Sequence, residues 1–401
     1  MGIIRIIQAI YLAFYSFSMV NADVQTRDPR QWPFAANSIW NMPIGTNARL
    51  VPAEIKAATD WGFTVDEDII IMTPDAPLVD VYENNADWSG SDRCVNTGGI
   101  IKSVHIPSNF VVKPHPIGSD PNSFSPDYWT GVSPNHATAI LLNDGRTIFQ
   151  TQPFSRCVYG RYATSHYTLA QQGKLDIDIC GDGIEGLHGG SGLSSLGGTI
   201  RSGELAPGKT INHALKVNIN AAENLYYDGI YKGYRWPAIH ADYNALNLYH
   251  GTIPQLRMGA LLALKADFSI ESLKTEPAKI IAKAFKQYGG YVVDNTGWKT
   301  YALAIEWSPA GRVRDEFIHT PWVVNGIRNQ FFDIDMGDKQ HPWSEDMRTI
   351  FASLYVVDDN SSTNIGGSGI HAPIAPSFSH ICINPSVAVK RRSSWKRALF
   401  Q

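Results

Sequence analysis

The chain has 401 residues, 44 % of them apolar, and a formal net charge of −3 at pH 7. That length and apolar content suffice for a substantial core, as one large domain or two subdomains. The charge balance offers no basic excess for a nucleic acid, and no acidic block dominates.

The N-terminus carries one positive charge, Arg5, then an apolar run from Ile6 to Val20 and a small residue at Ala22. This predicts a secretory signal over residues 1–22, because the run is short for a membrane span and no stop-transfer stretch follows; an N-terminal anchor helix is the alternative. Residues 23–389 are then expected to form a single large β-rich domain, catalytic or binding, and 390–401 a basic tail that frays. No membrane span is expected once the signal is removed. In an exported chain Cys94, Cys157, Cys180 and Cys382 should pair. Three connectivities stay open, with Cys157–Cys180 preferred, and no cysteine spacing suggests zinc. Asn360-Ser361-Ser362 is the one glycosylation sequon and is read as an exposed loop.

Asp23 to Arg49 is rich in Trp, Pro and Asn, so it reads as an extended strap pinned by Trp32 and Trp40. Val51 to Trp61 is compatible with one short helix with Pro52 in its first turn. Short β-prone runs follow at Ile69–Met72, Ile100–Ile106, Phe110–Val112, Ala137–Leu142 and Thr147–Thr151. Asn143-Asp144-Gly145 predicts a hairpin between the last two. Pro114 to Pro134 is too long for a simple turn. The glycine-rich stretch Gly186–Leu205, GLHGGSGLSSLGGTIRSGEL, reads as sharply bent backbone holding polar groups in set places. It leads to HALKVNIN, whose alternation predicts a strand with one face inward. Glu276–Tyr288 has apolar residues at helical spacing, an early Pro277 and a Gly289-Gly290 stop. A strand at Tyr291–Val293, a turn at Asp294–Gly297 and a partner strand at Trp298–Trp307 complete the predicted elements.

Four constellations carry candidate chemistry. His188, Arg201, Glu204 and His213 combine proton exchange near neutral pH with a cation that can neutralise a carboxylate; a structural ion pair would use the same residues. YRWPAIHAD at Tyr234–Asp242 gathers Tyr234, Arg235, Trp236, His240 and Asp242, aromatic faces with an adjacent Arg and acid, suited to a sugar-binding cleft or to a buried aromatic corner. Asp294 with Trp298 and Tyr301 could supply a second carboxylate and two aromatic contacts, or simply a hairpin turn. Asp176, Asp178, Asp182 and Glu185 offer hard oxygen ligands for calcium, without the EF-hand spacing, or a solvated acidic turn. No cofactor is demanded by any motif. The absence of GxSxG, HExxH, P-loop and GxGxxG patterns removes support for serine esterase, zinc protease and nucleotide readings.

The series SIWNMPIG, LHGGSGLSSLGGTIRSGEL, INHALKVNI, YRWPAIHAD, LRMGALLAL and FKQYGGYVVDN resembles a family of secreted, mostly bacterial proteins, many from polysaccharide-degrading or soil organisms. The resemblance runs from Ser38 to Trp307 and implies secretion and a shared architecture rather than a named activity. Arg201 to Leu205 is loosely similar to the Arg-x-Glu-Leu strand of jelly-roll alginate lyases, from which the inserted Gly203 and the missing Gln-x-His strand depart.

The expectation is therefore a mainly β fold, a β-sandwich or jelly roll with a few peripheral helices. The expected function is a secreted enzyme cleaving an extracellular polysaccharide, with lyase chemistry slightly preferred over hydrolysis. In a lyase, Arg201 would neutralise a uronic carboxylate, His188 or His213 take the C5 proton and Tyr234 protonate the leaving oxygen; in a hydrolase, Glu204 and Asp294 would be the two carboxylates. The rival is a non-catalytic secreted carbohydrate-binding or matrix protein, with which eleven tryptophans are equally compatible.

Overall fold

A computed structural model describes residues 26–85, 93–94, 97–112, 136–157, 160–166, 175–378 and Cys382. The expected signal segment, the 114–134 stretch and the basic tail lie outside the described residues. The fold is mainly β. Its centre is an eleven-stranded mixed sheet. Across it lie Leu50–Pro52, Leu354–Val357, Leu261–Leu264, Gly290–Asn295, Leu215–Ile219, Tyr301–Ser308, Thr64–Ile71, Thr138–Leu141, Thr147–Thr151 and Asp176–Asp178, with Gly311–Arg312 paired to the end of Tyr301–Ser308.

Strand alternation decides what covers each face of this sheet. In Thr64–Ile71, Val65, Ile69 and Ile71 point to one side. Val65 joins a core closed by the helices Glu276–Gln287 and Pro342–Ala352, with Phe285 set edge-on to Phe351 and Tyr301 stacked on it. Farther along the same side, Ile69, Ile71, Ile140 and Phe149 pack on Val79, Val81, Val104, Phe154 and Ala163 of a second, four-stranded sheet. That is the sandwich part of the molecule. On the opposite side, Ile70, Ala139, Tyr291 and Val293 meet Phe34 and Trp40 of the N-terminal strap and Leu193 and Leu196 of the glycine-rich loop. The strap is pinned as expected, with Trp32 Nε1 donating to Asn41 Oδ1 and Trp40 Nε1 to the Gly183 carbonyl.

The Asp-Gly hairpin forms, with Asp144 accepting from the Arg146 and Thr147 amides. So does the helix Glu276–Gln287, ended by Gly289 at φ +76°. Several expectations are corrected. Val51–Trp61 is no helix: Leu50–Pro52 pairs with Leu354–Val357, and the Ala53 amide continues the bond pattern to the Leu354 carbonyl. Gly290–Asn295 and Tyr301–Ser308 are not hairpin partners, because Leu215–Ile219 lies between them, parallel to the first and antiparallel to the second. Both faces of Leu215–Ile219 are buried. The cysteines pair as Cys94–Cys157 and Cys180–Cys382 rather than Cys157–Cys180. Asn360 is 4 % exposed and its Oδ1 accepts from the Gly366 amide, so the sequon asparagine faces inward. Among the described residues no helix is long and apolar enough to cross a membrane.

Candidate functional site

The face that carries Ile70 also carries Asp66 and Asp68, and the strand Leu215–Ile219 adds Lys216 and Asn218 to it. Apolar side chains are the ordinary lining of a buried face. Instead Asp68 and Lys216 are fully buried as a pair, Nζ to Oδ2 2.9 Å, and Thr199 Oγ1 donates to the same oxygen at 2.5 Å. Burial works to raise the Asp68 carboxyl, but Lys216 and His188 outweigh it and hold it at about 2. Asn218 Nδ2 donates to Asp66 Oδ2 at 2.8 Å, while burial pushes Asp66 upward.

Asp294 reaches this face through a register shift. Val217 pairs with Val292 but Asn218 with Asp294, so Val293 is the extra residue and Asp294 falls beside Asn218. Its Oδ1 accepts from the Gly190 amide at 3.1 Å and from its own neighbour Asn295 at 2.8 Å. Burial, followed by the nearby Asp242 charge, pushes its carboxyl to about 7. Asp242 is raised as well, again by burial first, and its Oδ2 accepts from Tyr249 Oη at 2.6 Å.

Glycines at two positions make this crowding possible. A Cβ on Gly189, which sits at φ +48°, would lie 2.1 Å from Asp294 Cγ, and one on Gly190 would lie 2.5 Å from Asp242 Oδ1. The Gly189 amide donates to Gln152 Oε1 at 2.8 Å, and the Gly190 carbonyl takes His240 Nδ1 at 2.6 Å. The backbone of the glycine-rich loop is thus threaded between two carboxylates. Above it opens a cleft of about 640 Å³, lined by Asp242, Asp294, His240, Tyr227, Tyr234 and Tyr243 among others. Tyr243 stands fully exposed on its lip. Compared with family models, curated proteins and solved structures, the chain matches none.

The expected site residues divide between this cleft and other places. Tyr234, His240 and Asp294 line it, and His188 is buried beneath, with Nε2 3.1 Å from Asp68 Oδ1 and 3.6 Å from Asp66 Oδ2. Arg201, Glu204 and His213 form a network of their own. Arg201 Nε donates to Glu306 at 2.7 Å and Nη1 to the Arg30 carbonyl, its amide donates to Glu204, and Glu204 meets His213 Nε2 at 3.0 Å. Arg201 and His213 border a crevice of about 10 Å³, room for one water at most. Arg235 is spent on the Gln255 and Asp358 carbonyls, and Trp236 packs against the strap-side core. Trp298 is partly exposed away from the cleft lining, and Tyr301 is buried on the helix side, donating to the Lys56 carbonyl. In the acidic run, Asp176 pairs with Lys102 and Asp178 with Arg146, Asp182 caps the Ile184 amide and Glu185 is exposed, so these four do not converge.

Asp66, Asp68, Lys216 and Tyr249 are not singled out by the sequence, which offers Asp242 only as the acid of a sugar-binding cluster and not as a partner of Asp294. One signal for the first two was available: in the TVDEDIII strand Asp66 and Asp68 flank Glu67, and their alternate positions put both on one face.

Proposed function

We propose that the chain is a secreted enzyme that cleaves an extracellular polysaccharide in this cleft, and that it does so by hydrolysis. The observation that carries the reading is the approach of two carboxylates, Asp242 and Asp294, to the same glycine backbone at the floor of a tyrosine-walled cleft. Asp242 is the proton-exchanging group, one oxygen held by Tyr249 and the other turned toward Gly190. Asp294 is the second carboxylate, beside which the attacking water is held. Tyr234 and Tyr243 offer ring faces for the apolar sides of sugars. The lyase route loses its main support, because the Arg201 guanidinium is engaged by Glu306 and the strap, and the cleft floor is acidic, which disfavours a uronic polymer. Glu204 gives way to Asp242 as the partner of Asp294.

The test is incubation of the mature protein with neutral, amino-sugar and uronic polysaccharides, following both new reducing ends and the absorbance of unsaturated uronic ends. Reducing ends without unsaturation, lost in Asp242→Asn but kept in Arg201→Lys, support hydrolysis at this cleft. Unsaturated ends would restore the lyase reading, and binding without cleavage would make the chain a carbohydrate-binding protein.

A further inference from the structure

We propose that Asp66, His188 and Asp294 form a binding site for a first-row divalent cation, of the zinc or manganese kind, at the floor of the cleft. One ligand atom from each of the three residues lies within 4.8 Å of the others, a separation that small shifts bring within the span of one ion. They arrive from three distant parts of the chain, the strand Thr64–Ile71, the start of the glycine-rich loop and the bulged end of Gly290–Asn295.

A second observation is independent of the carboxylates. The His188 side chain is 0 % exposed; its Nδ1 has no hydrogen-bond partner among the described residues, and its Nε2 faces carboxylate oxygens, Asp68 Oδ1 at 3.1 Å and Asp66 Oδ2 at 3.6 Å. Nε2 points between Asp66 and Asp68. A buried imidazole nitrogen left without a partner forfeits the compensation that buried polar groups ordinarily find. Asn218 Oδ1 is also buried without a hydrogen-bond partner among the described residues beside the same point. Lys216 is committed to Asp68, and no other lysine or arginine forms an ion pair with Asp66 or Asp294 among the described residues. A cation would satisfy these groups together.

The donor set selects the ion. Calcium and magnesium favour oxygen ligands alone, whereas one imidazole with two carboxylates suits zinc, manganese or a similar ion. Asn218, donating to Asp66, would orient that ligand from behind, as outer-shell partners commonly do. The Asp66 side chain is 19 % exposed and Asp294 lines the cleft, so an ion there keeps open positions toward the substrate side. The site stands on the ligands alone and does not require the hydrolytic reading.

The chain is stripped with a chelator and titrated calorimetrically with Zn²⁺, Mn²⁺ and Ca²⁺ in turn, with thermal unfolding followed in parallel. The expected result is saturable binding of one Zn²⁺ or Mn²⁺ per chain and a higher unfolding midpoint with the ion. Asp294→Asn and the partly exposed Asp66→Asn should each weaken binding at least about tenfold with an unchanged circular dichroism spectrum. The Asp176→Asn/Asp178→Asn double variant should keep wild-type affinity. Absence of saturable binding, preference for Ca²⁺, unaltered affinity in either single variant, or loss in the double variant would overturn the site.

Discussion

Lys216 and Asp68 show how a buried charge depends on its partner. The pair has no solvent exposure, so Lys216→Met leaves Asp68 without its main counter-charge and is expected to cost about 3–5 kcal/mol. Adding Asp68→Asn should recover part of that loss, and a double-mutant cycle by urea unfolding checks it; strictly additive losses would mean that the two residues do not stabilise each other. Gly189 makes a second case. Its positive φ and the contact with Asp294 both oppose a side chain, so Gly189→Ala should lower stability by about 1–3 kcal/mol and abolish cleavage. Gly203 shares the positive φ but has open space where its Cβ would be, so Gly203→Ala should carry the backbone cost and retain cleavage. Equal activity in the two variants would separate the Gly189 contact from function.

At the scale of elements, alternation and turn chemistry made the strands legible, since Asp144-Gly145 and the β-branched runs act within a few residues. The same alternation misled in HALKVNIN. It predicts one inward face, but Lys216 and Asn218 on the other face are buried as well, under the glycine-rich loop that brings His188 to Asp66 and Asp68. Local pattern cannot report what a distant segment lays over a strand. The bulge at Val293, which carries Asp294 out of its expected turn, is likewise set by the pairing partner and not by its own residues. The Arg201–Glu204–His213 network is a structural counterpart to the cleft. Burial disfavours the charged His213 ring, but Glu204 outweighs it and raises the group above its ordinary value. A raised folded-state value means the contribution is complete below about pH 6.5 and is lost as pH rises through the folded value. The stability gap between wild type and His213→Gln, from denaturant unfolding across that range, is expected to shrink with rising pH; a gap that widens contradicts the pairing.

For the whole molecule, the short β-prone runs point to a β-rich fold and the N-terminal pattern to paired cysteines, whereas strand order and disulfide partners are non-local and leave no mark on spacing. Cys180–Cys382 closes 202 residues and Cys94–Cys157 only 63. Loop-closure entropy therefore predicts a loss of about 4–5 kcal/mol for each paired Cys→Ser double variant, about 1 kcal/mol larger for the first. The reverse ranking in denaturant midpoints would show that local packing dominates. The molecule's organisation places one sheet face under helices and a second sheet, and turns its other face, with its acids, toward the cleft.

The most direct measurement is kcat and KM of Asp242→Asn on a polymer that the wild type cleaves, with the fold checked by circular dichroism. A fall in kcat of about 100-fold or more with KM within a few-fold of wild type is predicted for a group that moves the proton in the reaction. An unchanged kcat would contradict hydrolysis by the Asp242–Asp294 pair.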